Sequence, residues 1–224
     1  MVEVLRAAAP DLTLEPAGDG PVAIDGACSG IATVDVRADG VAFQGPMTVA
    51  GGLFYELNYL GQRSGVVDGL TIMDTCHGSF GILLQDTGGV RVAHSTIEGF
   101  AGGGIEVVGP GPAGARPLGL SSNEISGVGR GILVQNANGV DVETNRVHDN
   151  TFSGITVEGS QRVLIRGNAA LRDGDEGISL DAASTDDRVV GNVALGNTVD
   201  LSNAGQGNCF LRNRFQTSQG DIGC

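Results

Sequence analysis

Gly131-Ile-Leu-Val-Gln-Asn-Ala-Asn-Gly-Val-Asp-Val-Glu-Thr-Asn-Arg-Val147 holds one complete copy of the pattern that decides the fold. A glycine precedes three apolar residues, a second alternating apolar segment begins nine residues later at Val140, and Asn145 marks a polar corner. Apolar residues two apart, bounded by Gly and Asn, are typical of short strands and turns. A helix would need a spacing of 3.6 residues, which this segment lacks.

The glycine tetrad recurs at nearly constant intervals. Its five clear copies start 23, 27, 23 and 23 residues apart, at Gly81, Gly104, Gly131, Gly154 and Gly177. The polar corner recurs as Ser95, Asn123, Asn145, Asn168, Asn192 and Asn213. Such a repeat predicts a solenoid in which neighbouring coils pair in parallel about 4.8 Å apart. Asparagines at one corner would then stack and satisfy the amides of buried turns.

We therefore predict an all-β fold, a single-stranded right-handed parallel β-helix of about eight coils of roughly 23 residues each. Two degenerate earlier coils enter the same register at Thr33–Val36 and Glu56–Tyr59. Residues 1–224 are expected to form one domain. It would comprise an N-terminal coil or cap (1–32), regular coils (33–200) and a C-terminal coil with a tail (201–224).

Composition agrees with a solenoid and argues against two classes of partner. The 224 residues include 38 glycines and no tryptophan, so the core must consist of small and branched aliphatic side chains. The net charge is −13, and all 13 basic residues are scattered arginines. Nucleic acid and an anionic membrane both need a clustered basic patch, so neither partner is expected. No stretch approaches the ~18 apolar residues of a membrane-spanning helix.

The four cysteines bear on pairing and on compartment. Cys209 and Cys224 bracket a glycine-rich tail that a disulfide would pin, whereas metal ligation lacks a supporting CxxC or histidine pair. Cys28 and Cys76 share a ladder position two coils apart, roughly 9.6 Å. That exceeds the Cα reach of a disulfide unless the loops fold over Gly51. The first ten residues do not form a secretory signal, so the protein is either cytosolic or separated from its leader, and the cysteines favour an extracellular, secreted location.

With its glycine tetrad, asparagine corner and 23-residue period, the sequence resembles the right-handed parallel β-helix superfamily of pectate lyases, polygalacturonases and mannuronan C5-epimerases. The resemblance covers about residues 22–215. It implies a substrate groove along the outward side of the first strand of each coil. The repeat itself encodes coil packing, and the superfamily also includes noncatalytic surface proteins. The chain matches no catalytic signature of a single enzyme family, so no catalytic residue is transferred.

The first candidate site lies beside the one long insertion, 109–117, which follows a first strand. Glu106 and Arg130 come from adjacent coils, and Tyr55 and His77 stand on the coils before them. These groups suit removal of a proton α to a uronate carboxylate, with the arginine neutralising the enolate-like charge and the phenol or imidazole acting as acid or base. The expected substrate-binding residues are Asn58, Gln85, Gln135 and Arg116. The alternative interpretation is a solvated ion pair beside a surface loop.

The second candidate site is acidic. Glu158 and Asp181 are predicted ladder neighbours, and Asp175 and Glu176 lie in the corner that leads into the same face. Converging carboxylates repel unless one is protonated or a cation lies between them, and Ca²⁺ prefers such oxygen-rich sites. Paired carboxylates also catalyse glycoside hydrolysis. No cofactor is required by this scheme, and simple solubilising acid is the alternative.

Three functions follow as hypotheses. The favoured one is an extracellular carbohydrate-active enzyme, a lyase, epimerase or hydrolase on a polysaccharide, with uronate polymers as candidates. The second is a noncatalytic binding or surface-structural solenoid, and the third is a small-molecule isomerase or cyclase using a pocket under the 109–117 loop. The expected partner is a polysaccharide or a small-molecule ligand. Few aromatic residues and a negative surface count against polyuronates unless Arg130 or Ca²⁺ offsets the charge.

Overall fold

A computed structural model describes residues 5–18 and 22–224, so the residues 1–4 and 19–21 of the predicted N-terminal cap lie outside the described part. The described residues form 27 short β-strands and no helix. They therefore include no helix that could span a bilayer. The strands, numbered β1 to β27 in chain order, build three parallel sheets that together complete eight coils. The predicted parallel β-helix is confirmed.

Each sheet collects one strand from each of the eight complete coils, and β25, β26 and β27 extend the first and second sheets beyond them. The first sheet contains, in spatial order, β1 (Leu5–Ala7), β4 (Ala32–Val36), β7 (Tyr55–Leu60), β10 (Phe80–Gln85), β13 (Gly103–Val108), β16 (Arg130–Gln135), β19 (Ile155–Glu158), β22 (Glu176–Leu180), β25 (Val199–Asn203) and β27 (Ser218–Gly220). The second contains β2 (Thr13–Leu14), β5 (Val41–Gln44), β8 (Gly65–Asp68), β11 (Val90–Ala93), β14 (Leu118–Ser121), β17 (Val140–Glu143), β20 (Leu164–Arg166), β23 (Arg188–Val190) and β26 (Cys209–Leu211). The third contains β3 (Val22–Asp25), β6 (Met47–Ala50), β9 (Thr71–Met73), β12 (Thr96–Glu98), β15 (Glu124–Ser126), β18 (Arg146–His148), β21 (Ala169–Leu171) and β24 (Val193–Leu195).

The core is a stack of aliphatic ladders inside the three sheets. One ladder on the first sheet is fully buried and consists of Ile82, Ile105, Ile132, Ile155 and Ile178. The tetrad glycine is required because the third strand packs against it. A Cβ on Gly81 would lie 2.7 Å from both the Ile97 Cγ2 atom and the Gly104 carbonyl oxygen.

The asparagine corner forms the predicted ladder. The backbone N–H of Asn123 donates to the side-chain oxygen of Asn145 at 3.0 Å, and that of Asn145 donates to Asn168 at 2.8 Å. The Asn145 Nδ2 atom donates to the Leu120 carbonyl at 2.9 Å. The pattern continues through Asn192 and Asn213. These side chains therefore satisfy buried turn amides, as their structural interpretation predicts.

A second polar ladder at another corner contains an acid. Asn150 donates from its backbone N–H (3.1 Å) and its Nδ2 (2.9 Å) to one oxygen of Asp173, which is 3% exposed. The other carboxyl oxygen has no hydrogen-bond partner among the described residues. Asn197 occupies the equivalent position in the next coil, and its Nδ2 atom donates to the Ala170 carbonyl at 3.1 Å. Burial raises the pKa of Asp173 to about 7, although the hydrogen bonds from Asn150 oppose the rise.

Both cysteine pairs form disulfides. The Cα atoms of Cys209 and Cys224 are 4.3 Å apart, and those of Cys28 and Cys76 are 5.5 Å apart. The second pair meets because its loop folds over Gly51, whose carbonyl accepts the Cys28 N–H at 2.9 Å. A Cβ on Gly51 would lie 2.7 Å from the backbone nitrogens of Gly26 and Ala27, so a side chain would block this fold.

We predict that Asp173→Asn stabilises the protein at neutral pH, because an amide can donate to the Val147 carbonyl, which the register places level with that of Ala170. In the wild type the folded pKa of about 7 exceeds the usual 3.8. The folded state therefore keeps a proton that the unfolded state has lost, and stability falls as pH rises between these values, by up to about 4 kcal/mol. Urea unfolding across this pH range should show a steeper fall in the wild type than in the variant. Asp175→Asn, at an exposed position, is the control, and equal slopes for wild type and Asp173→Asn would refute the prediction.

Removal of the Cys28–Cys76 disulfide should loosen the N-terminal coils. The bridge closes a separation of 48 residues, and its loss through paired Cys→Ser substitutions should lower the free energy of unfolding by about 2 to 4 kcal/mol. Limited proteolysis should then cut within the first three coils. The matched variant at Cys209 and Cys224 should release only the tail. Equal protease resistance of the N-terminal coils in both variants would contradict this assignment.

Candidate functional site

The outer face of the first sheet presents three rows of residues in the predicted register. The central row pairs neighbours from coil to coil in the order Asp35, Asn58, Leu83, Glu106, Leu133, Thr156, Ser179 and Ser202. The row at the strand starts includes Tyr55, Phe80, Gly103 and Arg130. The row at the strand ends includes Gln85, Val108, Gln135 and Glu158.

Glu106, Arg130 and Tyr55 form one cluster through their charges alone, because among the described residues no hydrogen bond or ion pair joins the three. Burial raises the pKa of the half-buried Glu106 carboxyl, the positive charge of Arg130 lowers it, and the nearby Glu158 carboxylate raises it again. Burial and the negative charge of Glu106 both raise the pKa of the Tyr55 phenol. The structure thus brings together three of the four residues predicted to be catalytic, with a carboxyl that binds its proton more tightly than usual and a phenol that stays protonated.

An aromatic platform adjoins this cluster on its N-terminal side. The rings of Tyr55 and Phe80 stack with centroids 5.8 Å apart and planes inclined by 21°. Phe80 also lies against Gly103, where a Cβ would stand 3.2 Å from the ring. Stacked rings on an outer face offer an apolar surface to the C–H face of a sugar.

His77 does not join the cluster. It is exposed in the loop directly after the disulfide-bonded Cys76, with a positive φ of 60°. In the described part of the chain, no hydrogen bond or ion pair links its ring to Glu106, Arg130 or Tyr55. A catalytic role of His77 therefore stays a prediction.

The 109–117 loop does not overhang the Glu106–Arg130 pair. It leaves from the strand end and turns toward the second sheet, where the Arg63 Nη1 atom donates to the Ala113 carbonyl at 3.1 Å. The cavity beneath it has a volume of about 110 Å³, and its lining includes Thr87, Arg116 and Asn138 but neither Glu106 nor Arg130. Arg116 is thereby separated from the other predicted substrate-binding residues.

A shallow groove of about 280 Å³ extends from Arg130 toward the C-terminal coils. Hydroxyl groups of Ser153, Thr156, Ser179 and Ser202 line it together with four carboxylates. The carboxylates belong to Glu158, Asp175, Glu176 and Asp181. The two candidate sites of the sequence are therefore parts of one surface, and its C-terminal end is strongly negative.

Three of the four carboxylates accept hydrogen bonds from separate partners. Glu158 accepts from Gln135 Nε2 at 3.0 Å, and Glu176 accepts from Ser153 Oγ at 2.9 Å. Asp181 turns back to accept from the Gly159 N–H and the Ser184 hydroxyl. Burial alone would raise the pKa of Asp181, but the hydrogen bonds outweigh burial, so the pKa is lowered. Across residues 5–18 and 22–224 no group of three acidic, histidine or cysteine side chains is placed to hold a metal ion. The predicted calcium ligands Glu158, Asp175, Glu176 and Asp181 each have separate surroundings.

A second cavity on the same face was not predicted. It measures about 230 Å³ and is lined by Arg6, Ile31, Ala32, Asp35, Arg37 and Asn58. Asn58, one of the predicted substrate-binding residues, donates from Nδ2 to Asp35 at 3.3 Å. Asp35 is the next residue of the central row before Asn58. Extending that row by one coil in the sequence would therefore have identified this part of the face.

Comparison with known proteins gives one family and one related fold. No curated protein sequence matches the chain. A double mutant of the periplasmic alginate epimerase AlgG is similar in structure, with a TM-score of 0.52 and 13% identity over 85% of this chain and 54% of that one. A further AlgG structure gives a TM-score of 0.47 and 14% identity over 86% and 55%. The chain thus spans about half the length of these enzymes.

The family itself is identified from the sequence. A family described as "Right handed beta helix region" matches residues 57–215. The match begins at β7, includes the complete glycine tetrads and ends beyond the last asparagine corner. The chain therefore belongs to the right-handed β-helix family.

Proposed function

We propose that the protein acts on a uronate-containing polysaccharide at the outer face of its first sheet, by removing the proton α to a uronate carboxylate. The observation that carries the proposal is the Glu106 cluster. A half-buried carboxyl with a raised pKa lies near an arginine of the adjacent coil, on the outer face of the first sheet. Carboxyl groups tuned in this way act as general bases near neutral pH.

Each group of the cluster has a defined part in the proposed reaction. Arg130 binds the uronate carboxylate and stabilises the charge that develops on it. Glu106 accepts the proton from the α carbon, and the C–H electron pair moves into the enolate. Tyr55 then either gives its proton to the opposite face of that carbon, which is epimerisation, or to the departing glycosidic oxygen, which is elimination. Because the arginine supplies the positive charge, the step needs no metal ion.

Location and fold agree with such a substrate. Two disulfides are typical of an oxidising compartment, and we propose an extracellular or periplasmic location on that basis. The similarity of fold to a periplasmic alginate epimerase agrees with a uronate polymer as ligand. The Tyr55–Phe80 stack beside Glu106 adds a surface on which a sugar ring can lie.

The proposal is tested with a panel of uronate polymers in deuterated water. Deuterium at the α carbon reports proton removal, and ultraviolet absorbance of an unsaturated product separates elimination from epimerisation. Glu106→Gln and Arg130→Gln should each lower the rate by at least about 10²-fold, and Tyr55→Phe by about 10-fold or more.

The matched controls are Glu143→Gln and Arg166→Gln. These residues form an ion pair of 2.9 Å between adjacent coils of the second sheet, far from the proposed site, and should retain full activity. No exchange with any polymer would overturn the catalytic proposal. Binding without exchange would then favour the noncatalytic solenoid.

Glu158→Gln should shift the pH dependence of the reaction. The Glu158 carboxylate raises the pKa of Glu106, so its removal lowers that pKa. Since the base must be deprotonated, the acidic limb of the kcat/KM profile should move to lower pH. Glu143→Gln serves again as control and should leave the limb in place. A shift to higher pH, or none, would show that Glu106 is not the group that titrates.

A further inference from the structure

We infer that the N-terminal cavity is a second carboxylate-binding subsite, in which Arg6 and Arg37 bind a uronate unit of the same polymer that reacts at Glu106. This inference rests on the proposed function and adds where the chain lies, in which direction it runs and how long it must be. Four features of the first-sheet face support it.

The first feature is that the Asp35 carboxylate holds the Arg37 guanidinium in place. The Nε atom of Arg37 donates to Asp35 Oδ2 at 2.8 Å, and its backbone N–H donates to the Ala7 carbonyl at 2.9 Å. Asp35 is 7% exposed and also accepts from Asn58 Nδ2 at 3.3 Å. The buried carboxylate therefore fixes the guanidinium at one edge, which leaves the two terminal nitrogens for a ligand. A planar guanidinium fixed in this way matches a carboxylate in two parallel hydrogen bonds.

The second feature is unpaired positive charge. Arg6 stands opposite Asp35 in the strand register and lines the same cavity. Among residues 5–18 and 22–224, Arg6 has no ion pair and Arg37 has only the one to Asp35. Among the described residues that line the cavity, two arginines and one carboxylate leave a net positive charge, on a protein whose net charge is −13. Such a local reversal of sign attracts an anionic ligand.

The third feature is the spacing between the two sites. Asp35 and Glu106 belong to the central row and are separated by the coils of Asn58 and Leu83. Three coil spacings amount to about 14 Å. One coil spacing is close to the length of one pyranose unit in an extended polyuronate, so a chain parallel to the solenoid axis presents about one sugar to each coil. The Tyr55–Phe80 stack lies beside the intermediate coils, where a sugar ring needs an apolar surface.

The fourth feature is the contrast between the two ends of the face. Toward the C-terminus, the groove next to Arg130 holds four carboxylates and repels a polyanion. Toward the N-terminus, the cavity is net positive, and Ile31, which is 67% exposed, forms an apolar wall. The uronate chain therefore runs from Arg130 toward Arg37 and not in the opposite direction.

The experiment measures binding and not turnover. Uronate dimers and hexamers, from both the mannuronate and galacturonate series, are titrated calorimetrically into wild type, an Arg6→Gln/Arg37→Gln double variant, and Arg130→Gln. A hexamer reaches both subsites, so it should bind the wild type about tenfold more tightly than a dimer of the same series. The double variant should bind the hexamer no better than the dimer, whereas Arg130→Gln should weaken the binding of both.

Two controls separate a subsite from a loss of structure. Arg91→Gln removes an exposed arginine that is paired with Asp68 at 3.0 Å on the second sheet, and should leave the hexamer affinity unchanged. Melting temperatures within the wild-type range show that each variant is folded.

The outcomes distinguish this inference from the proposed function. Wild-type hexamer affinity in the double variant, with weakened binding in Arg130→Gln, overturns the subsite and leaves the proposed function standing. Failure of both oligomers to bind the wild type overturns both. If the hexamer binds more tightly than the dimer in the wild type and in Arg91→Gln but not in the Arg6→Gln/Arg37→Gln double variant, the subsite is supported, whether or not turnover is observed.

Discussion

Every coil of this protein obtains its hydrogen bonds from the coil beside it. The strands are only two to six residues long and would be unstable alone, but parallel pairing completes their backbone bonds. At the corners, side chains such as Asn145 do the same by accepting an N–H and donating to a carbonyl of the preceding coil. The face that carries the proposed site is a consequence of this pairing, because it holds outward residues level at a constant spacing.

Much of this arrangement could be predicted from the sequence because the repeat allows residues to be counted into rows. The register places Glu106 level with Leu133 and Arg130 level with Gly103, as the strand pairs show. The tetrad glycine recurs because a side chain would clash with the neighbouring strand. The corner asparagine recurs because the turn amides need a hydrogen-bond partner. For Cys28 and Cys76 the register gave a shared ladder position with Gly51 between them but left open whether they pair.

Features that break the repeat could not be predicted in the same way. The register gives the level of a residue but not the path of an inserted loop, so the 109–117 segment lies on the second-sheet side and leaves Glu106 open. His77 follows a disulfide loop of its own. Carboxylates predicted as ladder neighbours, such as Glu158 and Asp181, can have different partners, because Asp181 turns back to accept the Gly159 N–H. Asp173 has the place of an asparagine inside a buried ladder, which its acidic neighbours in the sequence do not reveal.

The stacking of coils also turns the outer face into a molecular ruler. Inserting one whole coil between β7 and β10 would leave the surroundings of Arg37 and Arg130 intact but move them apart by one coil spacing, about 4.8 Å. Removing a coil would bring them together by the same step. The separation of the two arginines is thus set in whole units by the number of repeats, and gene duplication of a single 23-residue segment is enough to change it.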